Sequence, residues 1–171
     1  MRTLPPSQLS HELREETSPD LARRRWVIGL SIVGTAMAQL VALYQTGVLK
    51  RLPDPPVGPF DSEKVDASDY AYKRLQTPDG FLMLGTYAVT GALAAAGGKD
   101  RATEQPWLPI AAAAKVLYDV ATTAKLTREE WAENKALCAY CQVATLASVA
   151  SLPLVFPEAA RAARRLAGGA A

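Results

Sequence analysis

Residues 26–49, WVIGLSIVGTAMAQLVALYQTGVL, decide the fold. They carry no charged side chain over 24 positions. Crossing the hydrocarbon core of a bilayer takes roughly 20 apolar residues in a helix, so this run predicts a transmembrane helix. Trp26 and Tyr44 suit the two interfacial zones. Arg23, Arg24 and Arg25 stand directly before the run. Ahead of them, Ser18-Pro19-Asp20 reads as a helix start, with Ser18 as N-cap and Pro19 at the first helical position.

Outward from this helix, long apolar runs alternate with short charged segments. Residues 1–25 form a polar N-terminal arm with Glu12, Glu15, Glu16 and Asp20, and no secretory signal is apparent in it. Lys50 to Asp79 is a polar loop in which Pro53, Pro55, Pro56 and Pro59 forbid a regular helix at first. From Asp61, a candidate N-cap, Val65, Ala67 or Ser68, Tyr72 and Leu75 recur at helical spacing. They predict a short helix on the extracytoplasmic membrane surface, ended by Thr77-Pro78. Gly80–Gly98 is the second span. Trp107–Leu126 is the third, and it carries Lys115, Asp119 and Lys125. Thr127-Arg128-Glu129-Glu130 matches a capping box, which predicts a new helix starting there. That helix runs into the uncharged stretch Ala136–Phe156, the fourth span, with Pro153 placed to kink it. The expected architecture is all-α: an integral membrane four-helix bundle over residues 26–160 with a basic, Ala-rich tail over 161–171. Arginines before the first span and Arg161, Arg164 and Arg165 after the fourth put both termini in the cytoplasm.

Composition excludes several functions. A net charge of +2, with no basic stripe interleaved with aromatic side chains, predicts no nucleic-acid partner. The two cysteines, Cys138 and Cys141, are too few for a disulfide framework or a four-thiolate zinc site. The single histidine, His11, lies in the polar arm. No metal site is expected.

Cys138-Ala139-Tyr140-Cys141 is the constellation that carries chemistry. Helical positions three apart place Cβ atoms about 5–6 Å apart, whereas a disulfide wants about 3.8 Å. Closing this pair therefore strains it, which suits a reducible couple better than a structural staple. The pair sits at the outward mouth of the fourth span, in the compartment where disulfides persist. The competing reading is two small buried hydrophobes.

These segments resemble the vitamin K epoxide reductase family of membrane thiol oxidoreductases. The resemblance rests on Asn134-Lys135-Ala136-Leu137-Cys138-Ala139-Tyr140-Cys141-Gln142 and on Ser62-Glu63-Lys64-Val65-Asp66-Ala67-Ser68-Asp69-Tyr70. It implies a four-helix bundle in the bacterial inner membrane whose fourth helix holds a CxxC beside a bound quinone, ubiquinone or menaquinone. It also implies an extracytoplasmic thioredoxin-like thiol protein as partner. By carry-over, Cys141 is the quinone-side cysteine and Cys138 the one attacked by an incoming thiolate. Ser68 matches a family serine or threonine close to the quinone. Ser62 stands where the family has the inner cysteine of a loop pair, and this chain lacks both loop cysteines.

Lys115 and Asp119, four apart in the third span, either pair with each other or serve a proton path or a quinone oxygen, with Lys115 as donor. Tyr140, Tyr87, Tyr118 and Trp131 either line an aromatic headgroup pocket or belong to the interface belt and the packing. Gln142 is a candidate for hydrogen bonding to another helix. Gly34 and Ala38, four apart, read as a close helix contact. Two functions follow: a quinone-dependent thiol oxidoreductase, favoured because the CxxC is kept, or a non-catalytic membrane scaffold that has lost the relay.

Overall fold

The computed structural model describes residues 5–168. Among these the chain is all-α. Helix α1 spans Pro6–Glu15, α2 Pro19–Gln45, α3 Ser62–Asp66, α4 Asp79–Ala95, α5 Arg101–Glu104, α6 Trp107–Asn134 and α7 Ala139–Gly168. The four long helices form the body. Helix α2 packs on α4 and α7, and α6 packs on α7 and α4. By length and composition α2 and α7 are apolar enough to cross a membrane. Helix α4 has 17 residues, and α6 carries the three charges noted above.

The start of α2 follows its local chemistry. Ser18 Oγ accepts the Leu21 amide at 3.1 Å, and Pro19 opens the helix. The helix stops at Gln45, short of Leu49, and Gly47 beyond it takes a φ of +76°. Gly34 clears space for a ring: a Cβ there would lie 2.4 Å from Tyr87 of α4. At Gly80 a Cβ would meet the Ala42 backbone nitrogen at 2.7 Å, so α2 and α4 cross in direct backbone contact. Large apolar side chains face outward on every long helix, among them Ile32, Val89, Leu117, Leu146 and Val149. A surface of this kind is one that a membrane or a partner protein covers.

Two expectations are corrected. The capping box at Thr127 does not open a helix. Helix α6 runs through it to Asn134, and the chain turns at Lys135 in the left-handed region (φ 52°). The Thr127 hydroxyl meets the Gln142 side chain instead, at 3.5 Å. The surface helix is a single turn that stops at Asp66, well short of Thr77. Asp61 caps it as expected, accepting the Lys64 amide at 3.0 Å, but the Ser68 hydroxyl donates to the Val65 carbonyl at 2.6 Å. A 3-10 turn over Asp69–Ala71 follows, and Leu75 and Gln76 adopt positive φ. The C-terminal segment is helical through Gly168, and α7 continues unbroken past Pro153 and Pro157.

At the end where α2 begins, α4 closes with Gly97 at φ +78°. Arg24 and Arg101 reach into that terminus. At the other end, the 51–72 segment folds over the bundle. Leu52, Val65, Tyr70, Val41, Ala136 and Cys138 make one buried cluster there.

Candidate functional site

The corrected break between α6 and α7 changes the setting of the CxxC. Cys138 stands at the N-cap position, immediately before α7, and Cys141 lies in its first turn. The Cys138 sulfur accepts the Cys141 amide at 3.2 Å, as a capping side chain does. The helix-terminal field therefore acts on Cys138 directly. Burial works the other way: Cys138 has no exposed surface. Loss of solvent is the largest influence on its thiol and, with the nearby Asp66 carboxylate, pushes it up from its ordinary range. Both thiols are free, with their sulfurs within 4.8 Å of each other.

The 51–72 segment is a strap over this helix mouth. The Leu137 amide donates to Pro59 O at 2.9 Å and the Asp61 amide to Leu137 O at 3.1 Å, a short parallel bridge. The Ala139 amide donates to Ser62 Oγ at 2.9 Å. Ser62 is held in turn by Asp54, which accepts its amide at 2.6 Å. The Tyr140 hydroxyl donates to Pro53 O at 2.6 Å. Arg74 pairs with Glu129 of α6 at 2.8 Å, and Lys73 pairs with Glu133. Glu130 of α6 accepts the Cys138 amide through one oxygen and the Gln142 side chain through the other, at 3.3 Å.

Below the strap lies a cavity of about 290 Å³ bounded by α3, α4, α6 and α7. That is near the low end of small-molecule pockets, roughly 300–1,000 Å³. Cys141 faces it, together with Asp66, Tyr70, Arg74, Tyr118, Asp119, Met83 and Leu126. Two buried polar atoms on these residues have no hydrogen-bond partner among the described residues: Arg74 Nη1 and Asp66 Oδ2. Buried polar atoms are nearly always paired, so each is a place where a ligand's atoms fit. An Asp66 oxygen and both sulfurs lie within 4.8 Å of one another. The trio is one donor short of a closed tetrahedral zinc site.

The residues expected beside a cofactor fall differently. Ser68, Tyr140 and Lys115 do not line this cavity. Ser68 caps α3 and Tyr140 anchors the strap, as described. Lys115 Nζ meets Asp119 at 2.6 Å and Thr86 Oγ1 at 3.1 Å. Asp119 and Thr86 do line it, so Lys115 reaches the cavity through them. Asp66 and Arg74 were missed. Asp66 had a signal: it lies four residues after Ser62, on the same helical face. Arg74 had none, because the left-handed Leu75–Gln76 turn that precedes α4 has no signature in these residues.

A family model described as the vitamin K epoxide reductase family matches residues 25–156. No curated protein and no solved structure matches the chain.

Proposed function

The chain belongs to the vitamin K epoxide reductase family, which makes it a membrane protein of the thiol oxidoreductase kind, and we propose that Cys138 and Cys141 pass two electrons from an extracytoplasmic thiol to a quinone. The observation that carries this reading is the placement of Cys141 on the wall of an apolar cavity beside a guanidinium nitrogen, Arg74 Nη1, that makes no hydrogen bond among the described residues and has its carboxylate neighbour, Asp79, 4.0 Å away. A quinone there, ubiquinone or menaquinone, supplies a lipid-soluble two-electron acceptor. Arg74 Nη1 is the donor for one of its ring oxygens, and a charged donor favours the oxygen as negative charge builds on it. Tyr70, whose ring lies 4.7 Å from the Arg74 guanidinium, holds that donor in place.

The donor side differs from the family pattern. The loop cysteines are absent, and Cys138 is sealed beneath the strap. A thioredoxin-like thiol on the outer face reaches Cys138 only when Ser62 and the 51–61 segment lift. Attack then proceeds through a mixed disulfide. The bacterial inner membrane with both termini cytoplasmic is the setting consistent with the basic flanks. The full burial of Cys138 favours the second reading, a non-catalytic scaffold, if the strap never lifts.

The test is thiol counting. Reduced protein in detergent is mixed with a short-chain quinone, and free thiols are read by maleimide mass shift. Loss of both thiols, one quinol formed per chain, is expected. Two thiols retained, while a known quinone-linked thiol oxidase reacts in parallel, gives the scaffold reading the lead.

The strap makes a further expectation. Ser62→Cys places a third sulfur where Ser62 Oγ now touches the Ala139 amide. Mild oxidation should join the introduced thiol to Cys138 within one chain, removing two of three thiols and leaving Cys141 open to maleimide. Crosslinks only between chains, by non-reducing electrophoresis, would show that the strap does not cover the CxxC.

A further inference from the structure

We infer that Asp66 is the proton-transfer residue of the dithiol, accepting the proton of Cys138 as the disulfide closes and handing it into the cavity. This rests on the quinone reading for the proton's destination only. The acceptance step concerns the two thiols themselves.

The geometry assigns the role by elimination. Closing a dithiol frees two protons and two electrons. Cys138 and Asp66 are at most 1% exposed, so solvent water does not reach the sulfur. The charged and titratable groups around Asp66 come from every neighbouring element: Tyr44 of α2, Asp54 and Tyr72 of the 51–72 segment, Asp79 of α4, Glu130 of α6, and Cys138 and Cys141 at the start of α7. Glu130 is committed to the Cys138 amide and Gln142. Asp79 accepts from Gln45 at 2.7 Å, and Asp54 is committed to Ser62. Asp66 alone among these carboxylates comes within 4.8 Å of both sulfurs, and its Oδ2 is free of any partner among the described residues. It also lines the cavity that Cys141 faces.

The step balances. The Cys141 thiol gives up its proton and its sulfur adds to the two-electron acceptor, the quinone. The Asp66 carboxylate takes the Cys138 proton, and the Cys138 thiolate attacks the Cys141 sulfur, so that the S–S bond forms as the sulfur–acceptor bond breaks and its electron pair leaves on the reduced acceptor. Two electrons and two protons leave the pair and reduce one quinone to one quinol. One of those protons travels by way of Asp66, which returns to its carboxylate form.

Burial, foremost, pushes the Asp66 carboxyl up to about 7. Below that pH it is protonated and accepts nothing; above it, it serves as base. Disulfide closure should therefore quicken as pH rises through about 7. Asp66→Asn removes this inflection. Its rate then climbs only toward the ionisation of the thiols, and at neutral pH it falls on the order of 10²-fold. Asp66→Glu keeps a carboxyl and should keep an inflection.

The experiment measures closure of the reduced, full-length protein from pH 5 to 9 by quenched maleimide labelling. One arm uses the thiol oxidant diamide, the other a short-chain quinone. Thermal melts of each variant accompany the profiles. An inflection present in the wild type and Asp66→Glu but absent in Asp66→Asn supports the assignment. Identical profiles for the wild type and Asp66→Asn overturn it. Uniform slowing at every pH with a lowered melt also overturns it, since that is loss of structure. An Asp66-dependent inflection with diamide, with no quinone reaction in any protein, upholds the assignment and removes the quinone reading.

Discussion

Cys138→Ala and Cys141→Ala should each reduce quinone-linked thiol oxidation to background, at least about 10³-fold, because neither sulfur alone closes a disulfide. The two variants should nevertheless differ in what they trap. In Cys141→Ala the cavity loses its sulfur and Cys138 has no internal partner. An incoming thiol protein that reaches Cys138 therefore stays attached as a mixed disulfide, since resolution needs a second thiolate. In Cys138→Ala the remaining sulfur, Cys141, lies in the first turn of α7 facing the cavity, beneath the strap residues Val65, Asp66 and Tyr70. It should trap no protein and remain open to small apolar maleimides that enter through the cavity. Non-reducing electrophoresis of membranes, followed by mass spectrometry of shifted bands, separates these outcomes. Equal trapping by both variants would remove the assignment of an outer and an inner cysteine. Trapping by neither, with the wild-type thiols stable to quinone, would favour the scaffold reading.

Much of the fold was legible because it is set by hydropathy. Residues 26–49 announce a span, and the Ser18-Pro19 start is decided within four residues by a hydroxyl and a ring. The α6–α7 boundary was not legible. Thr127 and Glu130 have capping-box spacing, yet Glu130 turns to the Cys138 amide, a residue eight positions away. A tertiary demand took the side chain that the local motif required. The same holds for the surface helix. Its apolar period runs to Leu75, but Val65 and Tyr70 are claimed by the core above Cys138, which a 3-10 turn satisfies and a straight helix does not.

The site was half legible. The CxxC and the position of Ser62 against it follow from the segments quoted above, and the strap's hydrogen bonds place Ser62 on Ala139. Ser68 was expected near the quinone from the family resemblance, and Tyr140 as one of the aromatics of a headgroup pocket. Their hydroxyls donate to backbone carbonyls of the strap, Val65 O and Pro53 O. Which side-chain atom is left without a hydrogen bond among the described residues, as with Arg74 Nη1, depends on every other residue's bonds. That is a property of the assembled bundle and is absent from any single stretch.

Glu158→Ala should destabilise the bundle by about 3–5 kcal/mol without touching the dithiol, since it strips the partner from a buried charge. Arg101 and Glu158 are both at most 3% exposed. They meet through two parallel bonds, Nε to Oε1 at 2.8 Å and Nη2 to Oε2 at 2.7 Å. Arg24 lies beside them and donates to the carbonyls of Ala94, Ala95, Ala96, Gly97 and Gly98 at 2.8–3.2 Å. Arg101 adds bonds to Leu93 O and Ala96 O, both at 2.7 Å. Two guanidiniums thus satisfy the last turn of α4, where unpaired carbonyls carry partial negative charge. One carboxylate offsets them. Without Glu158 the two cations share a buried terminus with dipoles alone. A loss of on the order of 10 °C in melting temperature is expected in detergent. Replacing Arg101 and Glu158 together by leucine should recover only part of it. The ion pair then disappears without an orphan charge, but Leu93 O loses its side-chain donor and Ala96 O keeps only Arg24. Glu158 lies 20 residues beyond Cys138, about 30 Å along α7. Dithiol closure below the melt should therefore keep its wild-type rate and pH profile. A Glu158→Ala melt within about 2 °C of wild type would show that the pair is solvated in the membrane and that α4 closes without it.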